Sequence, residues 1–95
     1  MFKVGSVVQS KAGRDKSKIF MVVKVQNEDY VLIADGEIKK LSKPKLKKIK
    51  HLKATGDNLD SIAAKLLVDS KVFDAELKSA LKKLIKAEDT EVKGV

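Results

Sequence analysis

The hydrophobic pattern of this chain changes near residue 56, and this change is the strongest constraint on its fold. Before it, β-branched and aromatic residues fall in short apolar segments such as 19–25 and 30–34, each too short for a convincing helix. After it, leucine, isoleucine and alanine recur at helical spacing in two stripes, 59–67 and 73–85. The pattern therefore predicts a chain that is mainly β and carries a tail of two short helices.

Further apolar segments at 4–8 and 47–52 bring the expected number of strands to four or five. The pair Asp35-Gly36 predicts a tight type I′ hairpin, with another strand continuing over 37–41. So few short strands, within about fifty residues, can scarcely form a sandwich. They can close into a small SH3-like or OB-like barrel, which leaves few sheet edges exposed.

The expected helices carry recognisable end signals. Asp57 and Asn58 are suitable N-cap residues for the first helix, and Asp74 and Glu76 place negative charge at the start of the second. Helices this short are unstable alone, so their apolar stripes must pack on each other or on the barrel. We therefore divide the chain into a barrel at 1–56, a helical pair packed as an appendage at 57–88, and a frayed tail at 89–95.

The composition argues against several classes of function. The 95 residues include no cysteine and a single histidine, His51, so we expect no metal site. No nucleophile-elbow sequence or phosphate-binding glycine pattern is present, so we expect no enzyme, no catalytic residue, no cofactor and no small-molecule substrate. No apolar run approaches the ~20 residues that span a bilayer, and residues 1–8 lack a secretory signal pattern. We therefore expect no membrane partner and a cytoplasmic location.

The charge of the chain is concentrated in its first part. Residues 1–56 contain fourteen Lys and Arg against five Asp and Glu, a net charge of +9. Residues 57–95 contain seven against eight, a net charge of −1, and the two parts add up to the net charge of +8 for the whole chain. A basic excess confined to one part of a small protein is typical of a polyanion binder, although it can also serve solubility alone.

The basic residues form two clusters. The first lies in the polar loop 11–18, and its Arg14 is the only arginine, hence the only candidate for a bidentate contact with phosphate or a base edge. The second spans residues 39–53. Aromatic residues are sparse, and Phe20 and Tyr30 are expected in the core, so the expected target is a structured RNA recognised by shape and charge. The predicted RNA-binding residues are Lys11, Arg14, Lys16, Lys18, Lys43, Lys45, Lys47, Lys48, Lys50 and His51.

Residues 4–8, the loop 11–16, the valine-rich segment after it and the segment 30–33 together resemble the KOW domain. More closely, residues 3–54 resemble the large-subunit ribosomal proteins of the fourteen-e, six-e and twenty-seven-e group and their small bacterial relatives. The resemblance implies an SH3-like barrel that contacts ribosomal RNA, and ribosomal proteins as further partners, in translation or ribosome biogenesis. An alternative is a transcription-elongation-type KOW module that docks on a polymerase, and a third is a membrane-surface binder.

Three glycines are expected to have structural turn roles: Gly5, Gly13 and Gly36. Gly13 would let the cations of the loop 11–18 project outward. Many relatives have a second glycine in this loop where the present chain has Ser17. The loop is therefore expected to turn less tightly than in those relatives.

Overall fold

The computed structural model describes residues 2–14, 16–68 and 70–93, with the side chains of the last helix described as far as residue 85. Five strands are followed by two α-helices, and a single 3-10 turn, Ile49–His51, separates the fourth and fifth strands. The strands are β1 (Ser6–Ser10), β2 (Ile19–Val25), β3 (Tyr30–Ala34), β4 (Lys45–Lys48) and β5 (Leu52–Asn58), and the helices are α1 (Asp60–Leu67) and α2 (Asp74–Lys93).

The strands form one antiparallel sheet in the order β4-β3-β2-β1-β5. The predicted apolar segments 19–25 and 30–34 are confirmed as β2 and β3. A turn joins them, in which the Asn27 side-chain oxygen accepts hydrogen bonds from the N–H groups of Asp29 (2.8 Å) and Tyr30 (2.9 Å). A five-stranded antiparallel sheet with a helical tail is thus the observed architecture, as predicted.

The sheet is apolar on both faces. Val7 and Val8 are both buried, yet they belong to separate clusters, because successive side chains of a strand point to opposite faces. We call the first cluster the helix-side core; it consists of Val7, Met21, Ala34, Ile62, Leu77 and Leu81. The second, which we call the sheet core, consists of Val8, Phe20, Val22, Val31, Ile33 and Leu52.

The helix-side core joins the tail to the sheet. Its members Ile62, Leu77 and Leu81 come from the two helices, and Leu77 is fully buried. Gly5 allows α1 to approach closely, since a Cβ at this position would lie 2.8 Å from that of Ala63. The helical stripes therefore pack against the sheet, which is where short helices obtain most of their stability.

The prediction for residues 35–41 is wrong. There is no two-residue hairpin at Asp35-Gly36 and no strand over 37–41, because residues 35–44 form an irregular connection that ends at β4. Oδ1 of Asp35 accepts hydrogen bonds from the N–H groups of Glu37 (3.0 Å) and Lys39 (2.8 Å). Donors bonded in this way are not used in a sheet ladder, so the local turn replaces the predicted strand.

The last predicted strand, 47–52, is also wrong as a single element, because Ile49–His51 forms the 3-10 turn and divides it. The N–H of Ile49 donates to the carbonyl oxygen of Asp29 (2.8 Å), so this turn is tied to the β2–β3 connection. The strand that follows extends to Asn58, two residues past the expected boundary at 56.

The predicted helix ends differ from those observed. The N-cap residue of α1 is Leu59, which makes no side-chain cap hydrogen bond, and the predicted cap Asn58 belongs to β5. The second helix continues to Lys93, past the expected end at 88; residues 94 and 95 of the predicted frayed tail lie outside the described residues.

Candidate nucleic-acid interface

The β1–β2 connection, residues 11–18, is a tight turn whose cations face solvent. Lys11, Arg14, Lys16 and Lys18 are all exposed, whereas Asp15 lies outside the described residues. The N–H of Lys16 donates to the carbonyl oxygen of Gly13 (3.2 Å), and the loop closes on β1 where the N–H of Ser17 donates to Ser10 (2.8 Å).

Ser17 adopts the left-handed backbone conformation that glycine prefers. Its φ is +74°, and it is the only non-glycine residue with a positive φ in the described part of the chain. Gly13, in the same loop, has a φ of +80°. The loop therefore turns through a glycine-like conformation at position 17 although the residue is serine, and the expectation of a looser turn is wrong.

The lysines of β4 are divided between the two faces of the sheet. Lys45 and Lys47 pair with Ile33 and Val31, two residues of the sheet core, so they share the face of that core and are half-buried. Lys48 pairs with Tyr30 on the other face and is exposed. Inward-facing charge on an edge strand is one way in which proteins avoid pairing with another chain.

Two contacts bring the β1–β2 loop to β4 and the 3-10 turn. The N–H of Lys11 donates to the carbonyl oxygen of His51 (2.9 Å). Nζ of Lys47 lies 3.9 Å from the position that a Cβ at Gly13 would occupy. The first basic cluster and part of the second, more than thirty residues apart in sequence, therefore meet on one side of the molecule.

The remaining predicted residues lie around this junction or farther from it. Lys48 and Lys50 line a groove with Tyr30, Ile49 and the turn residues Glu28 and Asp29. Lys43 and Lys45 line another groove with Ile38, Lys39, Lys40, Ser42 and Pro44. Lys18 is directed elsewhere, into a groove beside α2 that also contains Lys78 and Lys82.

The ion pairs in the described part of the chain lie away from these residues. They join Lys3 to Asp60 (4.0 Å), Lys65 to Glu76 (2.6 Å) and Lys78 to Glu37 (3.2 Å). None of these pairs uses a predicted RNA-binding residue. The carboxylates of the fold are thus drawn mainly to the tail, which leaves the junction strongly positive.

The sequence interpretation missed two features of this surface. Lys39 and Lys40 belong with Lys43, because the connection that contains them does not form the predicted strand. Tyr30 was expected in the core beside Phe20, but only Phe20 is fully buried, and Tyr30 belongs to neither apolar cluster. The strand alternation contains the missing signal, since Val31 and Ile33 fill the sheet core and place Tyr30 on the other face.

The structure also bears on other kinds of site. Among the described residues, no group of three or more His, Cys, Asp and Glu side chains is placed to hold a metal ion. No helix in the described ranges is both long enough and apolar enough to cross a membrane. In comparisons with known proteins, no family model matches the chain, and no curated protein sequence matches it.

Proposed function

We propose that this protein binds structured RNA without catalysing a reaction, and that its target is ribosomal RNA in translation or ribosome biogenesis. The observation that carries the proposal is the junction of the two basic clusters, where Lys47 reaches Gly13 and Lys11 is bonded to His51. Cations from separate parts of the chain converge on a surface whose charge is not offset by neighbouring carboxylates. Such a surface suits a phosphate backbone that is folded rather than extended.

We further propose that the sheet closes as an SH3-like barrel of the KOW type. The strands β4 and β5 stand at opposite ends of the strand order, yet only the turn Ile49–His51 separates them in sequence. Across a flat five-stranded sheet these strands would be roughly 19 Å apart. The chain from Lys48 to Leu52 spans at most about 14 Å, which favours a sheet curled upon itself.

The burial of the sheet core supports the same proposal. Its members Val8, Phe20, Val22, Val31 and Ile33 have no exposed surface, and the partly buried residues packed against it are Phe2 and Ile49 rather than helical residues. A sheet face that is buried without a helix or second sheet is explained most simply by curling of the sheet itself.

Binding would draw its free energy mainly from phosphate neutralisation. Lysines supply mobile point charges, and each phosphate contact releases counterions from the RNA. Arg14 adds the one planar guanidinium that can donate two parallel hydrogen bonds. His51 is assigned to loop positioning and RNA contact, because its carbonyl oxygen already holds Lys11.

The test compares two double variants that remove the same charge. Arg14→Ala with Lys47→Ala removes two cations at the junction, and Lys82→Ala with Lys83→Ala removes two exposed cations from α2. With a folded ribosomal RNA fragment in fluorescence anisotropy, we expect the first variant to bind roughly tenfold more weakly and the second to change little. Equal losses would contradict a defined interface.

Co-sedimentation with ribosomes after nuclease treatment tests the cellular target. Retention on ribosomes supports the proposal. Absence of RNA binding together with capture of RNA polymerase would favour the transcription-elongation-type module instead.

A further inference from the structure

A groove on the face opposite the sheet core combines an aromatic ring with charges of both signs. Tyr30 is partly exposed within it, and Nζ of Lys48 lies over the ring at 6.0 Å from the centroid. The other lining residues are Glu28, Asp29, Ile49 and Lys50. The ring packs in neither apolar cluster, so its burial in a core does not explain its position.

Hydrogen bonds to the backbone hold both walls of the groove in place. On one side, the Asn27 side chain fixes the turn that presents Glu28 and Asp29, through bonds of 2.8 and 2.9 Å. On the other, Ile49 begins the 3-10 turn, and its N–H donates to the carbonyl oxygen of Asp29 (2.8 Å). Tyr30 and Lys48 form the floor as a cross-strand pair. The groove is therefore built into the fold and does not depend on a ligand to form.

The charges of the groove are separated by element. The cations Lys48 and Lys50 come from β4 and the 3-10 turn, whereas the carboxylates Glu28 and Asp29 come from the β2–β3 turn. At 6.0 Å the Lys48 ammonium is at the outer limit of a cation–π contact, and its exposed side chain can turn toward a phosphate. A carboxylate can only accept hydrogen bonds, so it suits the donor-bearing edge of a base.

We propose that this groove binds one unpaired nucleotide of the target RNA, with its base against Tyr30 and its phosphates on Lys48 and Lys50. The inference rests on the proposed RNA binding and adds a site for an extruded base to a surface that otherwise follows the phosphate backbone. Stacking on an aromatic ring is the common way in which proteins hold unpaired bases of RNA.

The chain provides its own probe, because Tyr30 is the only tyrosine and there is no tryptophan. Intrinsic fluorescence therefore reports on the groove alone. The probes are two RNA hairpins that differ by one bulged guanosine. We expect the bulged hairpin to quench the Tyr30 emission and to bind between about fivefold and one-hundredfold more tightly than the fully paired one.

Variants assign the effect to the ring. Tyr30→Leu should abolish the preference for the bulged hairpin, and Tyr30→Phe should keep it. The matched control is Phe73→Leu, since Phe73 is also an exposed aromatic with a lysine, Lys71, over its ring (5.1 Å). This control should leave the preference unchanged.

Two outcomes would overturn the inference while leaving the proposed function intact: equal, salt-sensitive binding of both hairpins, or a preference that survives Tyr30→Leu. If neither hairpin binds, the proposed function fails together with it. Should Tyr30→Leu not fold, emission of the unaltered protein with the two hairpins still decides, because equal quenching would contradict stacking of the extruded base.

Discussion

The backbone N–H of Leu41 donates a hydrogen bond of 2.8 Å to Oδ1 of Asp74, a residue 33 positions later in the chain. Nearby, Nζ of Lys78 lies 3.2 Å from Oε1 of Glu37. Both contacts join the connection between β3 and β4 to the first turns of α2. The tail thus holds the connection that contains Lys39, Lys40 and Lys43, and so affects one margin of the basic surface.

Asp74→Ala should lower the free energy of unfolding by about 1–3 kcal/mol, because the Leu41 N–H loses a charged acceptor. The matched control is Asp60→Ala, which also removes an acidic residue from the first turn of a helix but is held only by a 4.0 Å pair with Lys3. Urea unfolding followed by circular dichroism measures both. Similar losses in the two variants would mean that the bond to Leu41 contributes little.

Gly36→Ala should be strongly destabilising, because a Cβ there would overlap the carbonyl oxygen of Asp74 and lie 3.0 Å from the backbone nitrogen of Lys78. Its φ of +81° adds the cost of a left-handed conformation. Gly56→Ala separates the two effects, because Gly56 has a φ of +92° but no atom within 4 Å of the added Cβ. We expect Gly56→Ala to lose about 1–2 kcal/mol and Gly36→Ala distinctly more. Thermal unfolding of both variants provides the comparison, and equal melting temperatures would contradict the close approach of α2.

Ser17→Gly should stabilise the protein by up to about 1 kcal/mol. Glycine removes the left-handed penalty at φ +74°, and part of that gain is offset by the greater entropy of the unfolded chain. Ser42→Gly is the control, since Ser42 is exposed and has no positive φ, and it should be neutral or destabilising. A melting temperature lowered equally by both changes would argue against the conformation described for Ser17.

Arg14→Ala should weaken RNA binding by about 1–3 kcal/mol, the range for an arginine that makes two parallel hydrogen bonds to nucleic acid. Arg14→Lys should recover only part of the loss, because a point charge replaces a planar fork. Lys83→Ala, exposed on α2, should have little effect. Filter binding measures all three, and small, equal losses from Arg14→Ala and Lys83→Ala would indicate diffuse attraction without a special loop.

The affinity for RNA should fall steeply as salt is added. If the basic surface neutralises about six phosphates, the logarithm of the association constant should fall with the logarithm of salt concentration with a slope of roughly 4–5 in magnitude. The reason is the net charge of +9 on residues 1–56. A titration series at increasing potassium chloride measures the slope, and a nearly flat dependence would exclude an electrostatic interface.

The sequence by itself determined the elements that depend on neighbours a few residues away. The β-branched runs of β2 and β3 and the Asn27 turn between them follow from alternation and local hydrogen bonding. The stripe that includes Leu77 and Leu81 likewise indicates a helix with one buried face. The concentration of positive charge before residue 57 is visible without any structure.

Only the tertiary structure decided the features that depend on distant partners. The 3-10 turn at Ile49 is tied to Asp29, the connection after β3 is held by Asp74, and Lys47 meets Gly13 across the fold. Their partners lie 20 to 34 residues away, so no local pattern can reveal which of these groups will be satisfied together. Local periodicity determines which face of an element is apolar, but packing determines which loops meet, and the candidate site is made of loops.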